Sequence, residues 1–166
     1  MDKQKPLMGK ADVLEGLAEH PAIKAILSWN PEALLDAKFD RGELTLTIAA
    51  EKICSAAVAV QTAGYNFLED LTAVDWFPSS PRFQVSYHIL SHSFKEYIRL
   101  SVLLDGADPV VESMTSVWPS ANYYEREVFD LFGIQFSGHP NLRRILMPDE
   151  WEGYPLRKDY PVEGYR

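Results

Sequence analysis

The sequence predicts an α+β fold: a mostly antiparallel or mixed sheet of about four strands packed with helices, followed by a long extended, proline-rich C-terminal tail. Three observations carry this prediction. Several stretches alternate apolar and polar residues with the period of two that a half-buried strand requires, other stretches repeat at helical spacing between Pro, Ser and Gly boundaries, and prolines recur from Pro140 onward. The 166 residues are 46% hydrophobic, enough for one core and short for two. The expected organisation is a single α+β domain over residues 1–136 and an extended tail over 137–166.

Residues 11–28 place Val13, Leu14, Leu17, Ile23, Ile26 and Leu27 at helical spacing, and Pro21 divides them into two short helices. After the Asp40-Arg41-Gly42 turn, Leu44, Leu46 and Ile48 alternate with Glu43, Thr45 and Thr47, which predicts a strand. Ala50 to Ala63 reads as a helix, with Gly64 as its C-terminal cap. Three more strands are expected over Asn66 to Asp75, Phe83 to Leu90 and Tyr97 to Leu104, the last two forming a hairpin through the short Ser91-His92-Ser93 turn. Asp108-Pro109 reads as an N-cap and first helical residue, opening a helix to about Val117. Ser120 reads as the cap of a second helix, Ala121 to Phe132, closed by Gly133. Pro140, Pro148, Pro155 and Pro161 then recur too often for a helix and are awkward for a sheet centre.

The net charge is -8, and Lys and Arg never cluster beyond two adjacent residues, which argues against a nucleic-acid partner. The single cysteine, Cys54, lies in an Ala/Val-rich stretch where a thiol behaves as a buried hydrophobe; one cysteine can neither close an intrachain disulfide nor hold an iron-sulfur cluster by itself. No apolar run approaches the roughly 20 residues that span a bilayer. Met1 to Lys10 has lysines with no apolar segment behind them, so no secretion signal is expected.

The densest group of ionisable residues is Glu125-Arg126-Glu127-Val128-Phe129-Asp130. On a helical wheel Arg126, Glu127 and Asp130 share the polar arc, with Arg126 and Asp130 as an i, i+4 pair, while Glu125 falls inside the apolar arc. A core-facing carboxylate needs a partner, and Arg143 or Arg144 is expected to supply it, fastening the tail to the helix. The rival reading makes Glu125, Glu127, Asp130 and His139 a metal or acid-base site, as in a stand-alone enzyme built on Glu127, Asp130 and His139. The neighbouring arginines and a lone histidine before Pro140 make that donor set poor. Gly133-Ile134-Gln135-Phe136-Ser137-Gly138 has phosphate-loop glycine spacing, yet His139-Pro140 stands where Lys and Ser or Thr are required, and the segment follows a helix. Leu146, Met147, Trp151, Tyr154, Leu156 and Tyr160 need a surface to bury against, either this chain's own domain or a partner.

At these residues the sequence resembles the thirty-kilodalton subunit family of respiratory complex I, the C subunits of NADH-quinone oxidoreductase. The resemblance rests on Glu125-Arg126-Glu127, Asp130-Leu131-Phe132-Gly133, His139-Pro140, Leu142-Arg143-Arg144-Ile145-Leu146 and Pro155-Leu156-Arg157-Lys158-Asp159-Tyr160-Pro161, in order and spacing. Tyr65-Asn66-Phe67, Asp70 to Asp75 and Tyr87 to Leu90 extend it upstream.

The resemblance implies a structural and interface role for these residues in a peripheral-arm subunit that binds no cofactor itself. FMN, iron-sulfur clusters and quinone would sit elsewhere in the assembled complex. The implied partners are the homologue of the quinone-site D subunit and neighbouring iron-sulfur subunits, on the cytoplasmic face of the inner membrane, with membrane association through the complex. The equivalent subunit of a membrane-bound hydrogenase or of a ferredoxin-dependent quinone oxidoreductase is the alternative.

Overall fold

The structure is a computed structural model that describes residues 9–163, so most of the N-terminal segment read above for a secretion signal lies outside the described residues. Two short helices come first, α1 (Lys10–Gly16) and α2 (Pro21–Trp29). Pro21 sits at the start of α2, where its missing N–H costs nothing, and the His20 imidazole caps the helix by accepting from Ala22 N–H.

Strands β1 (Leu34–Asp40) and β2 (Glu43–Ile48) form a hairpin whose turn residues, Arg41 and Gly42, have φ of 51° and 89°. That geometry suits the right-handed twist of the paired strands. Helix α3 (Ile53–Thr62) follows a short 3-10 turn over Ala50–Lys52, and then come β3 (Phe67–Asp75), β4 (Phe83–Ser91) and β5 (Glu96–Leu104). These strands form one five-stranded sheet in the order β1-β2-β5-β4-β3, antiparallel except where β2 runs parallel to β5. The expected α+β architecture with a mixed sheet is what the chain adopts, with one more strand in this sheet than anticipated.

Beyond the sheet lie β6 (Val110–Glu112), α4 (Ala121–Phe132) and β7 (Gln135–Ser137). The helix expected over Asp108 to Val117 is not there. Val110 and Val111 instead form a strand paired in parallel with β7, and the Pro109 carbonyl accepts from Gln135 N–H. Two adjacent β-branched residues favour that outcome, and the strand's partner lies far away in sequence where no local pattern could signal it. Ser120 precedes α4 but its side chain makes no cap; its hydroxyl donates to Leu68 O, 3.5 Å away. Gly133 closes α4 in the left-handed region at φ 72°.

The core fills one face of the sheet. Leu44, Leu46 and Ile48 of β2, Phe83, Val85, Tyr87 and Ile89 of β4, and Ile98, Leu100 and Val102 of β5 point inward against Ile23, Ile26, Ile53 and Val60 of the helices. Burying each large side chain stabilises the fold by about 1.5–3 kcal/mol. The opposite face carries Glu43, Thr45, His88, Tyr97 and Arg99, and no helix among the described residues packs on it, as one face of a largely antiparallel sheet permits. Helix α4 packs along β3, and the Tyr124 hydroxyl donates to Glu69 O at 2.8 Å, blunting that edge of the sheet.

Candidate functional site

Regular structure ends at Ser137, and the chain then runs as turns and extended segments across α4 and the end of β3. Two acidic residues of the domain fasten it. The first is Asp130, fully buried on α4. Its Oδ1 accepts from Arg144 Nη1 (2.6 Å), and its Oδ2 accepts from three successive amides, Ile145 (2.9 Å), Leu146 (2.7 Å) and Met147 (2.8 Å). Arg144 also donates to the carbonyls of Asp130 (2.9 Å), Trp151 (2.9 Å) and Gly153 (3.0 Å). Burial pushes the Asp130 carboxyl up, but the Met147 amide, Arg144 and the other two amides outweigh it and hold the group below the usual carboxylate range.

This arrangement corrects the expected pairing. Arg144 binds Asp130 rather than Glu125, and Arg143 contributes its carbonyl, which accepts from Arg126 Nε at 3.2 Å. Arg126 makes a second bond to Arg144 O (3.0 Å) and forms no i, i+4 pair with Asp130. The wheel places Asp130 with the solvent-facing residues because it considers only the sheet as cover; here the tail covers the second face of α4. Glu125 is buried as expected, with a different partner. It accepts from Ser113 Oγ (2.6 Å) and Met114 N–H (2.5 Å), pinning the turn that follows β6. Desolvation outweighs both bonds and raises its pKa to about 7.

The second fastening point is Asp75, at the end of β3. Its carboxylate accepts from Arg82 Nε (2.9 Å) and Nη2 (2.7 Å), from Phe77 N–H (2.9 Å) and, across the molecule, from the tail's Lys158 N–H (2.8 Å). Arg82 in turn grips Asp159 through Nη1 (2.9 Å) and Nη2 (2.6 Å). Burial pushes Asp75 up, and the Arg82 and amide hydrogen bonds more than reverse this, to about 2. Asp75 closes a stretch that carries the upstream resemblance, but nothing in the sequence marks its partners, and Arg82, a single arginine just before the next strand, shows no motif. The Arg82-Asp159 pair spans 77 residues.

Arg157 Nε donates to Phe132 O (2.6 Å), and its guanidinium lies over the rings of Tyr154 (4.7 Å to the centroid) and Phe83 (5.2 Å). Gly133 makes this packing possible, because a Cβ there would stand 2.4 Å from Tyr154 Cε2. His139 reaches back to α4, its Nε2 3.1 Å from Asn122 O, while its Nδ1 accepts from Asn141 N–H (3.0 Å).

The signature residues therefore fall into separate groups. Arg126, Asp130, Arg143 and Arg144 meet at one clamp; Gly133, Arg157, Lys158 and Asp159 gather at a second, near half-buried Pro155 and Tyr160; Glu125 faces inward and Glu127 and Pro140 face outward. Glu127, Asp130 and His139 do not make a donor set, because every Asp130 oxygen and both His139 nitrogens are already engaged. Among the described residues no trio of His, Cys, Asp or Glu is placed to hold a metal ion. Cys54 is half-buried rather than enclosed, with Sγ 3.9 Å from Ser116 Oγ. No helix of the described residues is long and apolar enough to cross a membrane.

Comparison with known proteins places the chain in a family. Residues 46–166 match the family model of the respiratory-chain NADH dehydrogenase 30 Kd subunit. The NADH-quinone oxidoreductase C subunit of Citrifermentans bemidjiense is 49% identical, the match covering 80% of this chain and 83% of that protein. Its counterpart in Roseiflexus sp. strain RS-1 is 47% identical over 80% of this chain and 78% of that one. Among solved structures, a trypsin-resistant fragment of Nqo5 superposes with TM-score 0.61 at 31% identity, covering 78% of this chain and 98% of the fragment. A chain of the membrane-bound sulfane sulfur reductase, an archaeal respiratory membrane complex, superposes with TM-score 0.74 at 25% identity, covering 89% and 86%. The chain belongs to the family of the 30-kDa subunit of respiratory-chain NADH dehydrogenase and is a subunit of an NADH-quinone oxidoreductase.

Proposed function

We propose that this chain is a non-catalytic, cofactor-free scaffold in the peripheral arm of a proton-translocating NADH-quinone oxidoreductase, on the cytoplasmic face of the inner membrane. It packs on the homologue of the quinone-site D subunit and holds the neighbouring iron-sulfur subunits in register. FMN, the clusters and quinone belong to those other subunits. The observation that carries this reading is the way the tail is held. Its backbone and charged groups are fixed to the domain at Asp130 and Asp75, while Leu146 (60% exposed), Leu156 (50%) and Trp151 (39%) face outward from that rigid support. Ordered apolar side chains turned to solvent suit a surface that another protein covers.

The sulfane sulfur reductase likeness favours a second reading, the equivalent subunit of a respiratory complex with a different electron donor or acceptor. Identities of 47–49% to quinone oxidoreductase subunits, against 25% there, favour the first. Membranes of a strain lacking this chain test the scaffold role. Electron transfer from NADH to quinone should be lost while NADH oxidation by ferricyanide at the flavin module persists. Stoichiometric iron or flavin in the purified chain would contradict it.

A further inference from the structure

Arg157 is the one arginine of the tail's second fastening point that forms no close ion pair among the described residues. Arg82, beside it, pairs with Asp75 and Asp159, and Arg144 pairs with Asp130. Among the described residues no carboxylate lies within 4.0 Å of Arg157, and its only hydrogen bond uses Nε, leaving both Nη groups without an acceptor. Asp159 cannot turn to it, because both Asp159 oxygens are held by Arg82. Asp75, Arg82, Arg157, Lys158 and Asp159 together carry one surplus positive charge, on a chain whose net charge is -8.

The guanidinium is also half-buried, in contact with the Tyr154 and Phe83 rings and tied through Nε to Phe132 O, so its position is set before anything binds. It borders a cavity of about 210 Å³ lined by Gly153, Tyr154, Arg157, Asp159 and Tyr160. Burial, with the nearby Arg82 charge, lowers the Arg157 pKa and outweighs the opposing pull of Tyr154, Asp159 and Asp75, none of which bonds to it directly.

We propose that Arg157 is a docking receptor for one carboxylate side chain, Asp or Glu, presented by an adjoining subunit and accepted in this cavity by the Nη groups. The inference rests on the subunit reading above and specifies its chemistry. A carboxylate fits better than a phosphate, because phosphate sites gather several free donors and here Arg82 and the Lys158 amide are already committed to Asp75. The exposed Leu156 and Trp151 of the same segment would supply the apolar contacts that surround such a charge in an interface.

Phenylglyoxal, which modifies accessible unpaired arginines, tests this when mapped by mass spectrometry on the isolated full chain and on the intact complex in mild detergent. Arg157 should be modified in the isolated chain and lose its reactivity in the complex, with Arg82 and Arg144 protected in both. Equal reactivity in the two states overturns the inference while leaving the subunit reading intact, as does protection in the isolated chain by its own fold or by inorganic phosphate alone. Failure to recover the chain with any complex removes both. To separate pairing from mere coverage, Arg157→Lys should survive a salt wash of the complex that strips Arg157→Met, and equal retention of the two variants overturns the carboxylate pairing. The footprint uses the unaltered chain, so a variant that misfolds does not remove the test.

Discussion

Glu125 and Asp130 sit on the same helix, both fully buried, and their acidities move in opposite directions. Desolvation acts on each. Asp130 meets it with three amides and a guanidinium, whereas Glu125 has one hydroxyl and one amide. A folded-state pKa of about 7 for Glu125 lies above the unfolded value, so the folded chain binds the extra proton. Stability from this group is therefore greatest in acid and falls as pH rises through about 7. Glu125→Gln mimics the protonated form, donating to Ser113 and accepting from Met114. Relative to the unaltered chain, its stability should improve by about 2 kcal/mol between about pH 5 and about pH 8, read from thermal melts across that range. A constant difference would mean that Glu125 is not protonated near neutrality. Asp75 and Asp130 behave oppositely, and the stability they contribute is lost as pH drops below about 4.

The tail is an element without regular secondary structure whose order comes from side chains that close its backbone hydrogen bonds. Arg144→Ala leaves a buried carboxylate with no cation and should cost about 3–5 kcal/mol. Chymotrypsin should then cut at Trp151 and Tyr154 well before the sheet unfolds; a tail as resistant as before would show that the clamp is dispensable. Gly133→Ala must accommodate a left-handed φ and a Cβ in collision with Tyr154, and should displace residues 153–157 with a loss of at least about 1–2 kcal/mol. A crystal structure of the variant with Tyr154 unmoved would contradict this. The elements differ in how far sequence reveals them. Strands β4 and β5 and the span of α4 are legible because their patterns are long and periodic. Strand β1 escapes because a register shift between Leu34 and Asp36 breaks its alternation, and β6 because three residues beside a proline imitate a helix start.

For the whole molecule, the layout is a sheet with one covered face, a helix along its edge, and a tail that covers the helix. The fold class and the family signature can be read from the chain because they rest on pattern and order. Which residues within the signature touch each other cannot, because Asp75, Arg82 and Asp159 lie far apart in sequence and meet only after the tail folds back. Glu125 shows the limit in reverse: its burial is legible from the wheel, its partner is not. These contacts make the tail one rigid surface with the domain, and the scaffold role requires that surface to be covered in the cell. The first experiment is to tag this chain in its native host, solubilise membranes in mild detergent, and identify by mass spectrometry what co-purifies. Recovery with iron-sulfur, quinone-site and antiporter-like membrane subunits is the expected result. Recovery of the chain alone, from the soluble fraction, would contradict its role as a subunit.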